Sequence, residues 1–247
     1  MSIAENITLV QQQIASACRA AGRPESEVRL MAVSKMHPAA AFAEACKAGV
    51  HLFGENRVQE FQAKSAELLL LGIETQGSDT QGSEHPAAEV HLIGPLQSNK
   101  AAKAAALFHA VDTIDSARLA ARLNDAAAAC GKTLSVLLEI KLSHEASKHG
   151  LLPGSRELEE TLEALPSLAS LRFKGLMTVP PFFDDPEQAR PYFRQLRTLR
   201  EALSAAHPRL DFSELSMGMS HDFSVAIEEG STCVRIGTAI FGRRTQG

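Results

Sequence analysis

Apolar residues recur at Ile7, Val10, Ile14 and Ala17, three or four positions apart, until Gly22 and Pro24 break the pattern. That spacing predicts an amphipathic helix with one buried face. Ser2 and Glu5 precede it as S-x-x-E, in which the hydroxyl and the carboxylate each accept the other residue's backbone N–H, so residues 1–24 are assigned to an N-terminal helix. From Val28 the pattern changes to short apolar runs, each closed by a polar or Gly-containing turn and followed by an Ala- or Leu-rich stretch of helical period. This is βα alternation, with strands at Val28–Val33, Val50–Phe53, Val90–Ile93, Phe108–Val111, Leu134–Ile140, Leu171–Met177, Phe212–Ser216 and Cys233–Ile236. Helices fill the gaps, among them Ser116–Cys130 and Pro186–Ala206, the latter stopped before Pro208.

Eight βα units in 247 residues match a (β/α)8 barrel, which typically needs about 250 residues. An open doubly wound sheet is the competing architecture. Its dinucleotide-binding form would place G-x-G-x-x-G after the first strand, but Val33 is followed by Ser34-Lys35-Met36-His37-Pro38. The expected fold is therefore α/β, a single (β/α)8 TIM barrel over residues 1–247 with an extra N-terminal helix. The stretch Gly72–Ala88, rich in Gly, Ser, Thr and Gln, is expected to be a flexible surface insertion on the helix-to-strand side, away from the ligand face.

Composition narrows the function class. Apolar residues make up 45% and charged residues 22%, ordinary for a globular protein, and the net charge of −4 offers no general positive field for nucleic acid or an anionic membrane. Cys18, Cys46, Cys130 and Cys233 form no C-x-x-C pair and no cluster with histidine, which removes zinc-ribbon and thioredoxin readings and suits free thiols in a reducing cytoplasm. Residues 1–10 lack the apolar stretch of a signal peptide, and no apolar run is long enough to span a membrane. With no long apolar surface stripe, a monomer is the simplest expectation.

Barrel enzymes bind ligands at the C-terminal ends of their strands, so a ligand site is expected among the residues at those ends. Strand parity puts Met31, Val33 and Lys35 on one side, so Lys35 extends an otherwise apolar face. Partial desolvation there would favour the neutral amine that attacks an aldehyde, although alone this residue fits a solvated loop lysine more readily. The seventh strand runs into Ser216-Met217-Gly218-Met219-Ser220-His221-Asp222 and opens a helix; the eighth ends in Arg235-Ile236-Gly237-Thr238. Small residues and free backbone N–H groups in these two turns suit a phosphate, and these are the loops where such barrels most often hold one. Arg235 fits either an ion pair or a permanently charged donor beneath an aromatic nitrogen, and Asn56 either a helix N-cap or a hydrogen-bonding group at the mouth. His91, at a strand's start, reads as a core or supporting histidine. Lys100, Lys103 and Lys148 read as surface lysines, with a transient second docking position as the alternative.

Taken in order, Ala32-Val33-Ser34-Lys35, Phe53-Gly54-Glu55-Asn56, His91-Leu92-Ile93-Gly94, Leu96-Gln97-Ser98-Asn99-Lys100, Glu145-Ala146-Ser147-Lys148, Gly175-Leu176-Met177-Thr178, Leu215-Ser216-Met217-Gly218-Met219-Ser220 and Val234-Arg235-Ile236-Gly237 resemble the pyridoxal phosphate homeostasis protein family. The resemblance runs from Leu30 to Arg243. It implies a barrel like the N-terminal domain of alanine racemase, with pyridoxal 5′-phosphate (PLP) held as a Schiff base on Lys35. It further implies that Ser220, Gly237 and Thr238 hold the phosphate, that Arg235 faces the pyridine nitrogen, and that Asn56, Ser216 and Met217 border the ring. Two departures stand out: Arg57 occupies a position where many members carry Tyr, and the Gly72–Ala88 segment is long.

The family is associated with PLP homeostasis, which implies a carrier that holds PLP and delivers it to apo-enzymes. Physical chemistry points the same way. Arg235 opposes protonation of the pyridine nitrogen, which carbanion chemistry needs, and the lone tyrosine, Tyr192, falls in a helix rather than at a strand end. A weak PLP-dependent racemase or related enzyme is the alternative, and a cofactor-free Schiff-base aldolase a more distant third.

Overall fold

The structure is a computed structural model that describes residues 1–75, 87–143 and 149–242. Much of the Gly72–Ala88 segment, and all of Glu145–Lys148, lie outside the described residues.

Helix α1 (Ile3–Ala20) starts at Ser2, whose hydroxyl accepts the Glu5 N–H at 3.2 Å while the Glu5 carboxylate accepts the Ser2 N–H at 2.8 Å. Its buried face is Ile7, Val10, Ile14 and Ala17 with Cys18, the stripe legible in the sequence. There follow β1 (Arg29–Val33), α2 (Ala39–Lys47), β2 (Leu52–Glu55), α3 (Val58–Leu70), β3 (Glu89–Leu92), α4 (Ala101–Leu107), β4 (Ala110–Ile114), α5 (Ala117–Ala129) and β5 (Leu134–Glu139). The chain continues through α6 (Arg156–Ala164), β6 (Leu171–Met177), α7 (Arg190–Ala206), β7 (Glu214–Met219), α8 (Phe223–Glu228), β8 (Cys233–Ile236) and the single turn α9 (Thr238–Phe241). Every neighbouring strand pair is parallel and β8 pairs with β1, closing an eight-stranded barrel. Asn6 on α1 donates to the Ile240 carbonyl at 2.8 Å, and Arg23 donates to the carbonyls of Ile227 and Ser231, so the N-terminal segment is tied to the last two βα units.

Two packing layers follow from strand parity. Outward residues such as Phe53, Val90, Val136, Leu215 and Val234 pack beneath the helices in one large apolar core. The barrel interior has a small apolar plug, Met31, Leu52 and Cys233 with Ile93 against them. At the strand starts it holds a charged layer. Arg29 meets Glu89 at 2.5 Å and Glu214 at 3.8 Å; His91 Nε2 lies 2.8 Å from Glu89 and Nδ1 3.1 Å from Asp112. Both ring nitrogens face carboxylate oxygens, so both carry protons and His91 is a buried imidazolium.

Burial works against that charge, but the Asp112 carboxylate and the hydrogen bonds to Asp112 and Glu89 outweigh it and raise the His91 pKa from 6.5 to about 10. Burial likewise pushes Glu89 up, yet His91 and Arg29 hold it down at about 2. The raised histidine stabilises the fold fully below its unfolded value of 6.5, and that contribution is lost as pH rises through about 10. The depressed Glu89 contributes above 4.5 and loses its contribution as pH falls toward about 2. For these two groups stability should therefore be highest between 4.5 and 6.5 and fall on either side, with a slope of at most about 1.4 kcal/mol per pH unit for buried His91 and a smaller one for Glu89, whose 40% exposed side chain is screened by solvent. Denaturant midpoints measured from pH 2 to 10 check this, and His91→Gln should flatten the alkaline side.

Candidate functional site

A cavity of about 490 Å³ opens at the C-terminal ends of the strands. Lys35, Asn56, Ser220, Arg235, Gly237 and Thr238 all line it, six residues from four separate stretches of chain brought to one place.

Lys35 is half-buried just beyond β1, where the strand's inward face continues past Val33. Asn56 follows β2. It is not the N-cap of α3: that position is Arg57, with no side-chain cap. The backbone of Asn56 is instead approached so closely by Gly94 that any Cβ at 94 would collide with the Asn56 carbonyl oxygen, so a glycine is required where β3 turns past the mouth. Arg235 is buried on β8. Nη1 donates to Ser216 Oγ at 2.6 Å and Nη2 to the Thr178 carbonyl at 2.8 Å, which fixes the plane of the guanidinium. Burial lowers its pKa, opposed by Cys233, Asp112, Asp222 and Glu139 nearby.

Across the turns after β7 and β8, the Ser220 hydroxyl accepts the N–H groups of Gly237 at 3.2 Å and Ala239 at 3.3 Å. A hydroxyl and two amide donors thus converge on the cavity wall. A Cβ at Gly237 would meet only Val33 at ordinary contact distance, so no neighbouring protein atom forces a glycine there; its missing side chain leaves room beside the two N–H groups. Asp222 anchors the first turn by accepting the Met219 N–H at 2.6 Å, and burial pushes its carboxyl up.

The family model described as "Alanine racemase, N-terminal domain" matches residues 3–245. A pyridoxal phosphate homeostasis protein from Aquifex aeolicus (strain VF5) is 38% identical over 244 residues, covering 99% of each chain. The chain belongs to the pyridoxal phosphate homeostasis protein family. The member from Escherichia coli (strain K12) is 42% identical over 248 residues, covering 98% of this chain and 97% of that one. Among solved structures, PipY of Synechococcus elongatus PCC7942 with PLP bound superposes with a TM-score of 0.82 at 39% identity, covering 98% of this chain and all of that one.

Not every residue singled out in this family member's sequence reaches the cavity. Ser216 is fully buried beneath Arg235, as the acceptor that orients it, and does not line the cavity. Met217 is the next residue on β7, so its side chain emerges on the opposite face and packs in the apolar core under the helices. Its side chain does not line the cavity. Tyr192, on α7, contacts the Phe183 ring and does not line the cavity. Lys103 donates to Gln62 at the surface, and Lys148 lies outside the described residues.

The sequence reading missed Glu139, which ends β5 and lines the cavity wall. Burial raises its pKa against the charges of His149 and Arg235. The parity argument that found Lys35 would have found it too, because Leu137 and Glu139 share the inward face of β5. Lys141, His149, His37 and His221 also line the mouth. Among the described residues no group of three or more His, Cys, Asp or Glu could hold a metal ion, and no helix is long and apolar enough to cross a membrane.

Proposed function

We propose that this protein binds PLP, holds it as a Schiff base on Lys35, and serves intracellular PLP homeostasis in the cytoplasm by delivering it to apo-enzymes. The observation that carries the reading is the convergence, in one cavity, of an amine on β1 with two amide donors and a hydroxyl on the β7 and β8 turns. That donor set suits the cofactor. The N–H groups of Gly237 and Ala239 already donate to an oxygen, that of Ser220, and a phosphate oxygen asks for the same donors. Thr238 adds a second hydroxyl to this wall, and Asn56 offers a hydrogen bond at the mouth. PLP supplies a reactive aldehyde, for which Lys35 is the attacking amine.

Arg235 argues for storage over turnover. A guanidinium held in place by Ser216 and Thr178 keeps its protons and offers a donor, not a base, to a ring nitrogen, so the nitrogen stays unprotonated and accepts carbanion charge poorly. The protein acts as a monomer, with apo-enzymes that use PLP as its transient partners. Absorbance titration with PLP tests the reading: a Schiff-base band should saturate at one equivalent, inorganic phosphate should compete, and Ser220→Ala should weaken binding about tenfold through loss of one charge-assisted hydrogen bond. Absence of the band in the unaltered protein would refute it.

A second reading, weak PLP-dependent chemistry on amino acids, draws on Glu139. Its strand, β5, lies opposite β1 in the closed order of eight, so a carboxyl faces the barrel mouth from the side away from Lys35. Exchange of α-deuterium from amino acids that depends on both Lys35 and Glu139 would favour it over the carrier.

A further inference from the structure

Lys64 is an anomaly. Helix α3 buries Val58, Phe61, Lys64 and Leu68, so a lysine occupies a place in the stripe where an apolar residue would ordinarily sit. Its side chain is only 6% exposed, and that of its partner Glu55, at the end of β2, is 0% exposed. Phe53 and Glu55 point outward from the barrel, so this ion pair lies between sheet and helix, outside the cavity. A buried pair of this kind adds little net stability over apolar residues of the same size, which leaves its presence unexplained by packing.

Its hydrogen bonds converge on one short segment. Lys64 Nζ donates to Glu55 Oε1 at 2.5 Å and to the Ser34 carbonyl at 2.8 Å, and Ser34 Oγ donates to the same Glu55 oxygen at 2.7 Å. Among the described residues the other, buried Glu55 oxygen has no partner, so the carboxylate's hydrogen bonds there are directed to one side. On the far side of Lys35, the Met36 N–H donates to Glu60, whose carboxylate lies 4.0 Å from Lys64. Met36 needs such a hold: its φ of +61° is in the left-handed region, which is unfavourable for a side-chain-bearing residue. The residues immediately before and after Lys35 are thus each gripped by a charged group from the β2–α3 unit.

We infer that Lys64, Glu55 and Glu60 are positioning residues that fix the backbone on both sides of Lys35 and so aim its amine at the ligand aldehyde. This rests on the proposed attachment of PLP to Lys35, and it predicts a specific split. Positioning matters for forming the covalent bond, whereas the phosphate turn and Arg235 are untouched. Lys64→Met should therefore weaken PLP about tenfold in an absorbance titration of the Schiff-base band. Binding of pyridoxine 5′-phosphate, which carries an alcohol in place of the aldehyde, should change by less than about twofold by calorimetry. Glu60→Ala, at a partly exposed site and safe for folding, should show the same split more weakly, and it decides alone if Lys64→Met fails to fold. Equal losses for aldehyde and alcohol would mean a purely structural role and overturn the inference, as would no loss for either. If the unaltered protein bound the alcohol but formed no band with PLP, the attachment to Lys35 would fall first, and the positioning role with it.

Discussion

Lys35→Ala will abolish the Schiff-base absorbance of the PLP-loaded protein while leaving reversible binding of the phosphorylated vitamer measurable. The two effects separate because they use different parts of the cavity. The amine of Lys35 comes from just beyond β1, whereas the hydroxyl and amide donors come from the turns after β7 and β8. Loss of a covalent attachment should lower the apparent affinity for PLP by at least about a hundredfold, to that of a noncovalent phosphate ester. Retention of phosphate binding is the informative half, since it shows that the variant is folded and that the turn works on its own. Equilibrium dialysis with PLP and with pyridoxine 5′-phosphate gives both numbers; unchanged absorbance in the variant would remove Lys35 from its role.

Gly175→Ala will destabilise the protein by about 3 kcal/mol or more, from backbone strain and overpacking together. Gly175 has a φ of +146°, and a Cβ there would land on the carbonyl oxygen of Glu214 in β7. It pairs with both neighbours, with Leu137 of β5 and with Glu214, at the point where the β5–β6 ladder shifts by one residue. That shift matters to the site. Beyond it the strand resumes its pairing through Leu176 and Met177 and delivers Thr178, whose carbonyl accepts Arg235 and whose hydroxyl donates to the Ile140 carbonyl at 2.8 Å. The alanine variant should therefore lose PLP affinity as well as stability, and more steeply than a destabilised variant distant from β6. Denaturant unfolding and PLP titration of the same preparation separate the two losses.

Sequence reading recovered the barrel because every strand carries an outward apolar face, and that face produces the short runs from which all eight strands were placed. It was least accurate where apolar residues sit just outside a strand or polar ones just inside. Phe108 and Phe212 pack in the outer core ahead of β4 and β7, so both strands were expected about two residues too early. Asp112 and Thr113, which belong to β4, were read as following the strand, because a polar barrel interior does not resemble a core in sequence. Likewise, nothing local marks Glu89, His91, Asp112, Arg29 and Glu214 as one charged layer, since they come from four strands that only closure of the barrel brings together.

The site was more legible than the charged layer. Lys35 could be found from parity and the Ser220 and Gly237 turns from their small residues, because each signal lies within a few residues of chain. The place of Met217 came from the resemblance and not from alternation along β7, which sends its side chain to the outer core, and Glu139 is hard to see at the end of an apolar strand. Lys64 was invisible for a related reason. A single lysine in a helical stripe reads as noise in the pattern until the fold sets Ser34 and Glu55 beside it.

Borohydride reduction of the PLP-loaded protein, followed by proteolysis and mass spectrometry of the peptides, tests the central claim most directly. Reduction makes the nitrogen–carbon bond permanent and so records which lysine held the aldehyde. The pyridoxyl group is expected on the peptide containing Lys35 at close to one equivalent, with free inorganic phosphate suppressing the label by competing for the turn. Label distributed over surface lysines such as Lys100 and Lys103, with the Lys35 peptide unmodified, would contradict the account.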